Sequence, residues 1–94
     1  MPNEQRLELR GLLTSLAQLD AETMASKAGE LAFAVRDCRI ELRRSAPCEL
    51  SDAQVHRLQQ LEYRLEMLAS GHGLAEGVGS EAERSLNAFG WTIN

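Results

Sequence analysis

Ninety-four residues with 14 Asp and Glu against 10 Lys and Arg carry a net charge of −4, and a chain this short holds one hydrophobic core rather than two. The acidic balance speaks against a nucleic-acid binder, which normally needs a basic excess to neutralise phosphate. No apolar run approaches the roughly 18–20 residues that span a bilayer.

The apolar share, 44 %, is ordinary for a globular protein, but only 4 % of residues are aromatic. The remainder are mostly Leu and Ala, which favour helices, while the residues that strands prefer are scarce. The expected class is therefore all-α. The opening stretch MPNEQRLELR carries acids and no apolar core, so no secretion signal is expected. Cys38 and Cys48 do not make a disulfide framework; free thiols and a cytoplasmic location are expected, a Cys38–Cys48 bridge being the sterically conceivable alternative. Nine Arg to one Lys, Lys27, is the composition of a GC-rich bacterial or phage genome rather than a mechanism.

The first predicted helix covers residues 4–19. Asn3 can cap it and Glu4 meets the amide dipoles of its opening turn. Leu9, Leu12, Leu16 and Leu19 follow at 3-4-3 spacing, with Leu7 and Leu13 widening the stripe. Gly11 weakens the helix by about 1 kcal/mol relative to Ala without ending it. No Gly or Pro separates this helix from the next, which permits one long rod. Continuing the first seam, however, would require apolar residues at Thr23, Ser26 and Glu30. A turn near residues 19–22, with Asp20 capping a new helix, is the simpler reading.

The second helix is expected over 21–44, about 36 Å at 1.5 Å per residue. Met24, Ala28, Leu31, Val35, Cys38 and Leu42 form its seam, and Ala25, Ala28, Gly29 and Ala32 let a neighbouring backbone approach. Arg39, Arg43 and Arg44 crowd the last turns, where positive charge meets exposed carbonyls. Pro47 then stops the helix. Ser51 and Gln54 fit a capping box, with Leu50 and Val55 at the positions of a hydrophobic staple. They open a third helix over 52–69, with Leu58, Leu61, Leu65 and Leu68 at 3-4-3 spacing and Gly71 as its stop.

Residues 71–79 hold four of the seven glycines and read as a flexible connector. Ser80–Glu83 fits a second capping box, opening a short helix that Gly90 ends. Trp91-Thr92-Ile93-Asn94 reads as an apolar tail folding back. The expected architecture is a small antiparallel bundle of three main amphipathic helices in 1–70. The connector, short helix and tail of 71–94 would pack on the same single domain, over one end.

Chemistry finds little to stand on. Cys38, Cys48, His56 and His72 match no familiar zinc spacing, so no metal is expected. Neither histidine sits in a recognisable nucleophile–base motif, so no enzyme, cofactor or small-molecule substrate is expected either. The Gly73–Ser80 stretch superficially resembles a phosphate loop, but it lacks the Lys and the preceding strand, and Glu81 and Glu83 would repel phosphate.

Two features of helix two remain. Arg36, Arg39 and Arg43 form a basic stripe, either for docking an acidic partner or a nucleic-acid backbone, or paired with Glu62 and Glu66 on an antiparallel helix three or locally with Asp37 and Glu41. The internal pairing is the favoured of the two. Phe33 and Ile40 lie seven residues apart, off the main seam. Either two neighbouring helices cover both sides of helix two, or Phe33, Ile40 and Trp91 form a patch for another chain. The expected function is a small helical protein-interaction module (an adaptor, chaperone or inhibitor), homodimeric and partner-binding through Phe33, Ile40, Arg36, Arg39, Arg43 and Trp91. By size and charge it is analogous to bacterial secretion chaperones and phage-encoded inhibitors. The alternative is a nucleic-acid-associated regulator using the Arg stripe.

Overall fold

The computed structural model describes residues 4–45 and 50–91, and within them the chain forms four α-helices and no strand: α1 (Glu4–Gln18), α2 (Ala21–Arg44), α3 (Asp52–Ala69) and α4 (Ala75–Phe89). The helices form a ring in chain order. α2 packs chiefly on α3 and α1 chiefly on α4, each helix touches its sequence neighbours, and α1 and α3 stand diagonally apart. Neighbours run antiparallel. Arg39 meets Glu62 while Gly29 lies beside Ala69, and Arg57 meets Glu81 while Arg64 lies beside Gly77. Likewise Arg10 meets Trp91 while Leu16 lies beside Gly79.

The helix ends follow from local chemistry. α1 and α2 are separate helices. The Asp20 carboxylate accepts the Thr23 backbone N–H at 3.1 Å, and hydrogen bonding from the Thr23 side chain first, then from its backbone N–H, holds the carboxyl below the ordinary value. Ser51 and Gln54 form the full capping box of α3, each side chain satisfying the other's backbone N–H. Leu50, just before it, is buried and Val55 packs against the core. α3 ends in a Schellman turn, with His72 N–H donating to Met67 and Gly71 N–H to Leu68, Gly71 taking a positive φ of 84°. Pro47 and Cys48 lie outside the described residues, whereas Ser45 caps α2.

The core combines the four seams: Leu9, Leu13 and Leu16 from α1, Met24, Ala28, Val35, Cys38 and Leu42 from α2, Leu58, Leu61 and Leu65 from α3, and Val78, Ala82 and Leu86 from α4. Two expected seams turn by part of a residue step. In α1, Leu13 is fully buried, Leu12 and Leu19 are at the margin, and Leu7 is 58 % exposed. In α2, Ala32 is buried and Leu31 is only half-buried.

The fourth helix departs most from expectation. It starts at Ala75, five residues before the second capping box, which lies unused inside it; Leu74 is the N-cap and offers no side-chain bond. It is a full member of the bundle, not a short piece over one end. Val78, Ala82, Ser85 and Leu86 form a buried stripe at 4-3-1 spacing, and burying such a stripe outweighs the roughly 1 kcal/mol that each helical glycine costs. Gly79 also has a positive role, because a Cβ there would sit 3.5 Å from the Leu16 carbonyl oxygen. This is ordinary contact for one methyl group and leaves no room for more. Gly79→Ala should accordingly keep or raise the melting temperature, whereas Gly79→Val should lower stability by about 2 kcal/mol or more. Equal melts for the two variants would contradict the close α1–α4 approach.

Candidate functional site

α2 and α3 present their outer surfaces side by side, and most sequence-expected site residues fall there. Arg39 lies between the two helices. Its Nε donates to Glu62 Oε2 at 2.6 Å and its Nη2 to Glu62 Oε1 at 3.1 Å, a forked pair with side chains only 17 % and 9 % exposed. Arg43 donates to the Leu50 carbonyl oxygen at 2.7 Å and to the Asp52 carboxylate, clasping the two ends of the α2–α3 link. Two of the three arginines of the stripe are therefore engaged within the chain, Arg39 with an acid that the antiparallel reading expected.

Arg36 continues the row one turn before Arg39, and Glu66 stands across from it one turn after Glu62. Both line a crevice of about 290 Å³ with Gly29, Ala32, Phe33, Ala69 and Ser70. Among the described residues neither Arg36 nor Glu66 closes an ion pair. Phe33 projects beside this crevice, 60 % exposed, and Ile40, two turns along, is half-buried.

Trp91 is not part of that surface. Gly90 takes a left-handed φ of 72°, and the Trp91 N–H closes a Schellman turn on the Leu86 carbonyl at 2.9 Å. The turn drops the indole into the core, where it is 7 % exposed. Phe89 meets it edge-on at 5.0 Å between centroids, Arg6 lies over the ring at 5.3 Å, and Arg10 donates to its backbone carbonyl at 3.0 Å. The expected grouping of Phe33, Ile40 and Trp91 does not form, because Trp91 seals the α1–α4 end. Ile93 lies outside the described residues.

A second concavity escaped the sequence reading. A trough of about 560 Å³ runs along the outer face of α3 to the α3–α4 turn, lined by His56, Gln59, Gln60, Tyr63, Arg64, Met67, Gly73 and Leu74. Tyr63 is 62 % exposed and Leu74 76 %. The missed signal was the 4-3-4 spacing of His56, Gln60, Tyr63 and Met67, a second stripe on α3 that the stronger leucine seam masks. Gln60 and His56 are joined at 3.1 Å between side-chain nitrogens.

Two other buried ionisable groups, Glu81 and Cys38, serve packing. Glu81, buried in α4, meets Arg57 of α3 at 3.4 Å and Arg84 at 3.1 Å. Cys38 is a free thiol at 2 % exposure, and burial, with smaller contributions from Glu8 and Asp37, pushes it up to about 11. Such a thiol is a poor nucleophile at neutral pH. Among the described residues no three His, Cys, Asp or Glu side chains converge as metal ligands would, and no helix is long and apolar enough to cross a membrane.

The chain matches no protein family, no curated protein and no solved structure.

Proposed function

We propose that this chain is a small protein-interaction module, an adaptor, chaperone or inhibitor that acts by binding a partner protein and self-associates through the outer face of α2. The observation that carries the reading is Phe33. The core is complete without it, yet a large aromatic side chain stands 60 % exposed beside a crevice of small residues. Exposed aromatics of this kind are typical anchors of protein contacts.

The same patch is self-complementary. Phe33 is a projecting side chain, Gly29, Ala32 and Ala69 form a recess, and Arg36 and Glu66 supply both signs of charge. A two-fold axis through such a patch sets each projection against the other copy's recess and each Arg36 against the other Glu66. A standard interface takes about 800 Å² from each partner, about a seventh of the 5888 Å² surface. The engagement of Arg39 and Arg43 within the chain weakens the nucleic-acid alternative, which needs a free basic row. A reducing cytoplasm suits the unpaired Cys38, and the high Arg-to-Lys ratio suits a bacterial or phage source.

Light scattering across a concentration series tests self-association. The wild type should run at twice the chain mass of 10.4 kDa. Phe33→Ala should run as a monomer and, with its side chain mostly in solvent, lose under about 1 kcal/mol of chain stability. Arg36→Glu should also dissociate the dimer, and Arg36→Glu combined with Glu66→Arg should restore it. A wild type that stays monomeric at every concentration sinks the dimer. A loss of roughly 3 kcal/mol from Phe33→Ala would mark Phe33 as core instead.

A further inference from the structure

The outer stripe of α3 has the form of a second, separate docking site. His56, Gln60, Tyr63 and Met67 recur at 4-3-4 spacing, so they share one face over about 16 Å of helix. The two glycines after α3, Gly71 and Gly73, both take positive φ, 84° and 85°. They turn the chain so that Leu74 stands at the end of that face, 76 % exposed. Tyr63, Met67 and Leu74 give the trough an apolar floor, while His56, Gln59, Gln60 and Arg64 supply its polar rim.

The charge on this trough runs against that of the chain. The protein has a net charge of −4, yet no Asp or Glu lines the trough, and the one charged side chain that does is Arg64. Arg64 makes no ion pair among the described residues. A length near 16 Å corresponds to about three helical turns, the usual footprint of an amphipathic helix lying along a groove. Resting on the reading of this chain as an interaction module, we infer that the α3 trough docks an acidic amphipathic helix of a partner protein. Apolar residues of that helix at i, i+3 or i+4, and i+7 cover Tyr63, Met67 and Leu74, and its carboxylates face Arg64.

Selection from a phage-displayed library of random 16-residue peptides on the intact chain provides the test, with the enriched peptides then titrated against variants. The expected consensus has apolar residues at helical spacing interleaved with Asp and Glu. Binding should fall at least tenfold for Leu74→Asp, Tyr63→Ala and Arg64→Glu and stay unchanged for Lys27→Ala, an exposed position on α2. Circular dichroism should show wild-type helicity for all four, since each side chain is exposed. Peptides that bind wild type and Leu74→Asp alike but lose Phe33→Ala would overturn the trough while leaving the interaction module standing on α2. A basic or uncharged consensus would overturn the acidic partner. Enrichment of no peptide at all would overturn the trough and the partner-binding reading together, leaving only self-association.

Discussion

Leu61→Asp should abolish the fold. Leu61 is fully buried in the middle of α3, within the shared core of all four helices. Replacing it removes a side chain whose truncation alone costs about 2–5 kcal/mol. It also leaves a carboxylate that must either ionise without a partner or take up a proton against its ordinary pKa. Together these exceed about 5 kcal/mol, and a domain of this size has only about 5–15 kcal/mol in total, with small chains near the lower end. Far-UV circular dichroism should show a largely unfolded chain without a cooperative melt. Leu7→Asp is the matched control. Leu7 belongs to the same kind of leucine stripe in sequence but is 58 % exposed, so its substitution should stay within about 0.5 kcal/mol of wild type. Cooperative wild-type melting of Leu61→Asp, or collapse of Leu7→Asp, would show that the seams face the wrong way.

The second large effect belongs to the Arg39–Glu62 pair. Arg39→Ala should destabilise by about 3–5 kcal/mol, because the Glu62 side chain, 9 % exposed, is left as a buried charge without its forked donor. Replacing both partners by Arg39→Met and Glu62→Leu removes the stranded charge and should recover most of that loss, to within about 1–2 kcal/mol of wild type or better. The pair is thus weak as a source of stability and strong as a constraint. It constrains the register of α2 against α3, since a shift of one turn away from Glu66 would set Arg39 against the buried Leu58. Chemical denaturation of the two singles and the double closes the cycle. Additive losses would show that the two groups do not interact.

Register also governs the surface proposed for self-association. One turn from the closed Arg39–Glu62 fork, Arg36 and Glu66 flank an open crevice rather than close across it. In the proposed dimer the same two helices use one charge pair to hold themselves together and offer the next to a second copy. The α3 trough shares no lining residue with that crevice, so the two proposed contacts would not compete.

Sequence by itself determined the helices that local chemistry controls. Asp20 caps α2 and the Ser51–Gln54 box opens α3 through bonds that reach only three residues along the chain. Gly71 and Gly90 close helices because they alone adopt the left-handed conformation cheaply. The leucine seams and the pairing of Arg39 with Glu62 were legible too, given antiparallel neighbours joined by short links. What only the tertiary structure decided were matters of environment. Residues 75–80 are helical because α1 offers a surface close enough for Gly79, which no local signal records. Trp91 is core because the Gly90 turn aims it at α1, while Phe33, equally apolar, is left outside because the ring of four helices closes without it. Glu81 is buried because Arg57 arrives from another helix. Capping acts over one turn of chain and can be read from it; burial depends on which helix passes by, and that is settled only when the four seams meet.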